Sequence, residues 1–265
     1  MHALTTYIIP VRIEHPDRER NLRISVSYLL KNTNAKIIIK EADTSKKVPD
    51  ILEDTMTNTR ISYMFEEESG LFHRTKYLND MLEVVDTPIT CNYDCDVILH
   101  PRCYESAEMM ISSGDAHVVY PYPFSMQGQV KICLTKEKAE EIIQNPTPGS
   151  FEGCDSLGHA PSRYGHCVFV NTDVYKQAGG ENEEFISWGP EDEERALSFK
   201  KLGLIIGRLN GVPVYHIEHF RGDDSSKDNP EYLKNSILFE KIEKMSEAEL
   251  KDYIMSNNKR SWVIQ

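Results

Sequence analysis

Basic residues are scarce in this sequence relative to acidic ones. Thirty Lys and Arg stand against 42 Asp and Glu, a formal net charge of −12. That balance excludes non-specific nucleic-acid binding, which needs an excess of phosphate-neutralising cations. It also requires any phosphorylated ligand to be held by local positive groups or by a metal. Long apolar runs are lacking too: the longest, such as Ile37-Ile38-Ile39 and Val168-Phe169-Val170, are strand-sized. A membrane span needs roughly 20 apolar residues. Met1-His2-Ala3-Leu4 has no basic segment leading into an apolar one, so no signal peptide is read there. Cysteine is sparse, and six in 265 residues do not make a disulfide scaffold. Cys91, Cys95 and Cys103 admit a zinc site, but without a second closely spaced pair they read as core packing. No Gly-rich, Lys/Arg-bearing loop follows the first strand, which argues against a nucleotidyltransferase. Together these absences predict a reduced, cytoplasmic protein built around one core.

What is present is a rhythm of strands and helices. Tyr7 to Val11 reads as a buried strand ending in a Pro-containing loop, and Leu22, Val26, Leu29 and Leu30 share one face of a following helix. Lys36 to Lys40 is a second strand, Val48 to Met56 a short helix and Arg60 to Phe65 a third strand. Ser69 is placed to cap a helix whose apolar face is Leu71, Leu78, Leu82 and Val85. Ile89 to Tyr93 is a strand that runs into Asp94-Cys95-Asp96. This order predicts an α/β fold with a mostly parallel central sheet flanked by helices. Further on, 101–113 reads as helix, 116–120 and 130–134 as strands, and Thr135 as the cap of a helix to about 144. Residues 146–165, rich in Pro, Gly and Ser, read as a long functional loop or lid. Then come a strand at 167–170, helices at 172–177 and 190–202, and strands at 204–209 and 212–216. An amphipathic helical tail fills 231–265, so the catalytic domain is expected at 1–230.

Four constellations carry chemistry. Asp94 and Asp96 stand where a buried strand emerges, the usual ligand-binding edge of an open α/β sheet, and hard carboxylate oxygens there suit magnesium or manganese. An acidic turn explains the pair equally well. His216 and His219, at i and i+3, add imidazole to such a set and shift its preference towards manganese or another transition metal. For an isolated pair, two hydrogen-bonded histidines are the more economical explanation. In Trp188-Gly189-Pro190-Glu191-Asp192-Glu193-Glu194 the helix dipole accounts for most of the carboxylates. Even so, Trp188 offers an aromatic plane for a sugar ring, and a carboxylate beside it could deprotonate a hydroxyl. Arg12, Arg74 and Lys76 are the phosphate partners expected of an acidic protein, although each taken singly also reads as a solvated surface charge.

Taken together, these segments resemble GT-A fold glycosyltransferases, most closely the group of β-1,4-galactosyltransferases, polypeptide N-acetylgalactosaminyltransferases and chondroitin-type polymerases. Ile9-Pro10-Val11-Arg12 looks like that group's first-strand motif at the uridine site. Phe72 to Asn79 resembles its Asn-Arg-x-Lys-x-Leu-Asn helix, Asp94-Cys95-Asp96 its Asp-x-Asp motif, and Gly179 to Glu193 its Trp-Gly-Gly-Glu-Asp segment. His216-x-x-His219, with Arg221 and Asp228-Asn229-Pro230 after it, looks like its second metal-ligand segment. The resemblance spans roughly residues 7 to 230. It implies a metal-dependent inverting transfer from a UDP-sugar, of the galactose or N-acetylgalactosamine type, to a saccharide or glycolipid acceptor in polysaccharide synthesis.

The resemblance also implies roles. Asp96 and His219 would hold manganese, or magnesium in its place, with His216 a third ligand or a neighbour. Pro10, Val11, Arg12, Asp43, Arg74, Lys76 and Asp94 would bind the donor. Trp188, Gly189 and Glu191 would bind the acceptor, and Asp192 would be the base. Two departures stand out: Pro190 replaces the group's Gly, and His216 stands where the animal galactosyltransferases have Met. The animal enzymes' anchor, stem and disulfides have no counterpart here, which implies a bacterial or viral enzyme of the cytoplasm. Lys241, Lys244, Lys251, Lys259 and Arg260 permit peripheral contact with the inner face of a membrane, although interleaved Glu residues favour a solvated surface. A retaining GT-A transferase and a non-catalytic carbohydrate-binding protein are the rival classes.

Overall fold

The computed structural model describes residues 3–151, 153–222, 227–258, 260 and 262. Its centre is built from apolar runs that bury both faces of their strands, the pattern parallel sheets require. β1 (Thr5–Val11) is buried throughout, and β2 (Lys36–Asp43) is buried except at Lys36. β3 (Ile61–Glu67) lies at one edge, and β4 (Ile89–Tyr93) pairs with the other side of β1. These four run parallel, in the order β3-β2-β1-β4.

Successive side chains of β1 and β2 leave the sheet on opposite faces. Tyr7, Ile9, Ile37 and Ile39 pack with Leu22, Val26 and Leu29 of α1 (Pro16–Asn32). On the other face Ile8 and Ile38 meet Leu78, Met81 and Val85 in and just beyond α3 (Arg74–Val84). Between them in sequence, α2 (Val48–Ile51) is a single turn.

Beyond β4 the chain forms β5 (Val97–Ile98), α4 (Pro101–Ser112) and β6 (Val118–Tyr120). It continues through β7 (Ser125–Cys133), α5 (Lys136–Gln144), β8 (Asp155–Ser162) and β9 (Cys167–Asn171). Then follow α6 (Thr172–Gln177), α7 (Glu191–Lys201), β10 (Ile206–Arg208) and β11 (Val214–Ile217). The central sheet has seven strands, β3-β2-β1-β4-β9-β6-β10, and β9 alone runs against both of its neighbours. A second sheet of four strands, β5-β11-β7-β8, packs beside it. In that sheet His216 pairs with Val97, and Ile217 N–H donates to the Asp96 carbonyl at 2.8 Å. This register brings a histidine from late in the chain beside the Asp-x-Asp turn.

The tail forms α8 (Tyr232–Lys244) and α9 (Glu247–Asn257), the second begun by a Ser246/Glu249 capping box. Phe185, Ile242 and Leu250 make a small buried cluster that docks both helices on the core. No described helix is long and apolar enough to cross a membrane.

Three expectations need correction. Residues 146–165 are not an open loop: a 3-10 turn at Pro148–Phe151 leads into β8, which pairs antiparallel with β7. This strand gains its stability from backbone hydrogen bonds at a sheet edge. Its Ser, Gly, Ala and Pro side chains give no period-2 signal, and Pro161 is tolerated because the edge lacks a second partner strand. Ser69 does not cap α3, which begins at Arg74 after His73 with no side-chain cap. The intervening backbone is held in place by Arg12, whose Nη1 donates to the Gly70 carbonyl at 2.7 Å. The helix expected over 48–56 shrinks to the one turn of α2.

Candidate active site

A cavity of about 300 Å³ opens at the carboxyl ends of β1 and β4. Pro10, Val11, Arg12, Arg74, Asp94, Asp96, Trp188, Glu191, Asp192, His216 and His219 all line it. Segments up to two hundred residues apart in the chain thus converge where an α/β sheet presents its ligand edge.

Asp96, His216 and His219 form one half. They are buried, and their ligand atoms lie within 4.8 Å of one another, the metal-competent group found among the described residues. His219 Nδ1 lies 2.7 Å from the Phe220 carbonyl. A carbonyl can only accept, so Nδ1 carries the proton and Nε2 presents its lone pair to Asp96 Oδ2, 3.0 Å away. Two lone pairs at that distance need a cation between them or a proton on the ring, and a backbone carbonyl behind the imidazole is the usual support of a metal-binding histidine. His216 Nε2 is 3.8 Å from Asp96 Oδ1, and its Nδ1 is buried without a partner. Burial pushes the His216 pKa down to about 4, against the opposing pull of the Asp96 charge. Burial works against the Asp96 carboxylate, but His216, His219 and Arg18 outweigh it and hold its pKa well below the usual range. One carboxylate, two imidazoles and room for further ligands fit a divalent transition cation.

The second half is an acidic corner at the start of α7. Asp192 Oδ1 accepts from Arg195 Nη2 at 2.7 Å and lies 3.5 Å from Arg74 Nη1. Burial alone would raise the Asp192 pKa, yet Arg195 and Arg74 overcome it and hold the carboxyl below its ordinary value. Its neighbour behaves oppositely: burial, followed by the charge of Asp192, lifts Glu191 to about 8. Glu191 Oε2 accepts from Gly189 N–H at 3.0 Å. Arg74 ties this corner to the Asp-x-Asp turn, since its Nη2 also donates to Asp94 at 2.8 Å.

Trp188 is stacked on one face by Tyr232 of α8, with ring centroids 5.2 Å apart and planes at 22°. Asn235 of the same helix donates to the Ile186 and Trp188 carbonyls at 2.8 and 3.2 Å. The tail is therefore part of the wall that presents Trp188. Among the described residues, two non-glycine residues have positive φ, His166 at 72° and Ser187 at 61°, and both line the cleft. Such strained backbone gathers at functional sites. Arg12 contributes a donor that the protein itself leaves unused. Its Nε and Nη1 donate to the Ala42 and Gly70 carbonyls, while its buried Nη2 has no acceptor.

Three expected residues stand outside the cavity lining. Asp43 is consumed by Ile13 and Thr44 N–H groups at 3.0 and 2.7 Å and by Lys47 at 2.9 Å, so it braces the loop after β1. Lys76 pairs with Glu66 at 2.7 Å and Asp80 at 3.0 Å. Gly189 contributes a backbone N–H and a bare α-carbon against Asn235. Conversely, Arg18, Phe72, His166 and Arg221 line the cleft but were not among the expected binders. Arg221 follows the His-x-x-His segment directly, and Phe72 sits beneath Arg12, whose guanidinium lies 5.5 Å from the ring. A second cavity, of about 240 Å³ behind α7, contains none of the expected site residues. The three cysteines weighed as a zinc site are buried in the apolar core.

The sheet order and the cleft at its carboxyl edge are those of the GT-A glycosyltransferase fold. Two solved glycosyltransferase structures share it at 14% identity. GalNAc-T7 with UDP, GalNAc and Mn2+ superposes with a TM-score of 0.63 over 90% of this chain and 48% of its own. TarS 1-349 of S. aureus superposes with a TM-score of 0.59 over 98% of this chain and 72% of its own. The chain thus spans about half the length of the GalNAc-T7 structure. No protein-family model matches the sequence, and no curated relative matches it.

Proposed function

We propose that this chain is a metal-dependent, inverting glycosyltransferase that moves a sugar from a UDP-sugar to a hydroxyl of a saccharide acceptor. The observation that carries this reading is that one cleft holds both a three-residue cation set and a pair of carboxyls with opposed pKa shifts beside an aromatic plane. The neighbour solved with UDP, GalNAc and Mn2+ supports the donor class, the galactose or N-acetylgalactosamine type of sugar, and manganese as the ion. Asp96, His216 and His219 would hold the ion, which would neutralise the donor diphosphate and stabilise the departing nucleotide.

The remaining work falls to the protein's own groups. Arg12, with its orphaned Nη2, and Arg74 bind the donor beside Pro10 and Val11. Trp188, backed by Tyr232, takes the acceptor ring on its open face. Asp192 stays ionised because two arginines face it, so it is ready to accept the acceptor's hydroxyl proton. Glu191 keeps its own proton near neutral pH and can donate a hydrogen bond to that acceptor. Two carboxyls driven apart by their surroundings are the usual mark of divided acid and base roles. Attack from the side of Asp192, across Arg74 from the cation set, inverts the anomeric centre.

Four buried cysteines and two others, all unpaired, suit a reducing compartment such as the cytoplasm. Membrane contact through the tail receives less support. Arg260 is bound by Asp80, Glu83 and Glu183, and Lys251 by Glu247, while Lys259 lies outside the described residues. The direct test is Asp192→Asn. It should keep manganese-dependent UDP binding by calorimetry and lose about 10²- to 10⁴-fold in transfer rate, the usual contribution of a general base. Unchanged turnover would remove Asp192 from that role.

A further inference from the structure

Asp96 Oδ2 has two claimants. His219 Nε2 approaches it at 3.0 Å, and Arg18 Nη1 donates to it at 2.5 Å. Arg18 projects from α1, its side chain is 25% exposed, and Asp96 is its one ion-pair partner among the described residues. An oxygen that is to ligate a cation together with His219 is thus already taken by a guanidinium.

The charge balance of the set follows from that contact. Asp96 contributes one negative charge and Arg18 one positive, so the guanidinium neutralises the carboxylate it touches. A divalent cation arriving alone meets a carboxylate already neutralised by a guanidinium on its intended ligand atom. Asp94 offers little relief, because Arg74 holds it at 2.8 Å. The missing negative charge has to come from the ligand that enters with the cation.

We propose that Arg18 is a built-in counter-ion that makes cation binding conditional on an anionic donor. It occupies Asp96 while the cleft is free. It gives up that oxygen when a nucleotide diphosphate arrives with the cation, and turns its charge to the phosphates. Arg18 is therefore a positioning residue that couples two binding events, and the proposal rests on the reading of the cleft as a site for both.

Electron paramagnetic resonance titration of Mn2+, with and without UDP, tests it on the wild type, Arg18→Gln, Arg18→Lys and Asp96→Ala. Wild-type protein should bind Mn2+ weakly alone and about tenfold or more tightly with UDP, within the ordinary range of coupling between sites. Linkage demands that Mn2+ tighten UDP by the same factor, which calorimetry reads independently. Arg18→Gln should bind Mn2+ alone about tenfold more tightly and lose most of the UDP enhancement. Arg18→Lys, which keeps the charge, should retain enhancement above that of the Gln variant. Wild-type Mn2+ affinity and wild-type enhancement in Arg18→Gln would overturn the proposal, as would a Lys variant indistinguishable from Gln. Wild-type Mn2+ binding in Asp96→Ala would instead overturn the metal-site reading beneath it.

Discussion

Glu194 is buried two residues beyond the proposed base, where its Oε1 accepts from Ser198 Oγ at 2.5 Å. Burial pushes its carboxyl up to about 7, with the nearby Glu181 adding to the rise and Ser198 and Arg195 opposing it. An unfolded chain releases this proton near the ordinary value of 4.5. Between those two pH values the folded protein still holds a proton that the unfolded chain has lost. Stability therefore falls as pH rises from about 4.5 to about 7 and stays at the lower level above it. A tenfold difference in proton affinity between the folded and unfolded chain is worth about 1.4 kcal/mol, so the penalty at pH 8 is of order 3 kcal/mol at most. Glu194→Gln removes the titration and leaves Ser198 an oxygen to bond. The variant should match wild type near pH 5 and exceed it by roughly 1 to 3 kcal/mol near pH 8, several degrees in Tm for a chain of this size. Urea denaturation followed by circular dichroism at both pH values measures the difference. Equal pH dependence in the two proteins would refute the assignment of a raised carboxyl at this position.

Two more perturbations probe the residues that stand behind the cleft. Glu181 is buried and accepts from Arg195 Nη1 at 3.1 Å, Asn92 Nδ2 at 2.9 Å and the Tyr175 hydroxyl. Glu181→Leu strands these donors, so denaturation should show a loss of about 3 to 5 kcal/mol; a loss under about 1 kcal/mol would mean that Arg195 finds its compensation elsewhere. A Cβ at Gly189 would meet Asn235 Cβ at 2.7 Å, in the side chain that holds the Trp188 loop. Gly189→Ala should cost about 1 to 3 kcal/mol through overpacking and raise the acceptor KM while UDP binding stays constant. Equal damage to both ligands would show that α8 supports the whole cleft.

The parts of this fold that were legible in the sequence are those whose side chains decide their structure. β1, β2 and β4 are buried on both faces, so their apolar runs announce themselves, and α1 shows its stripe because one face meets the sheet. The gathering of Asp96, His216 and His219 was legible through the resemblance and not through spacing, which left an acidic turn and a hydrogen-bonded histidine pair as equal or better explanations. β8 was not legible, since it is held by backbone bonds at an edge and its side chains carry no pattern. Asp43 and Lys76 looked like donor ligands because a sequence shows that a charge is present and hides which partner takes it. Lys47, four residues along, claims Asp43, and Asp80, four residues along, shares Lys76 with Glu66. Arg18 was missed for the converse reason. Its charge looks like any surface arginine of a helix, and only the packing of α1 against residues 95–97 brings it to Asp96.

Charge at the cleft differs from charge over the whole chain, and the difference bears on how a polyanionic donor enters. The chain carries −12, yet Arg12, Arg18, Arg74 and Arg221 line the cleft against Glu14, Asp94, Asp96, Glu191 and Asp192. With Glu191 protonated near neutral pH, four positive groups face four negative ones. The charges also alternate in space: Glu181, Arg195, Asp192, Arg74 and Asp94 form an unbroken chain of opposite neighbours. A neutral, alternating cleft neither repels a diphosphate as strongly as the surrounding surface does nor attracts a bare divalent cation. The entrant it suits is the near-neutral pair of the two. On the reading proposed above, selection of that pair from within an acidic protein would follow from the pairing of cleft carboxylates with arginines rather than from any excess of positive charge.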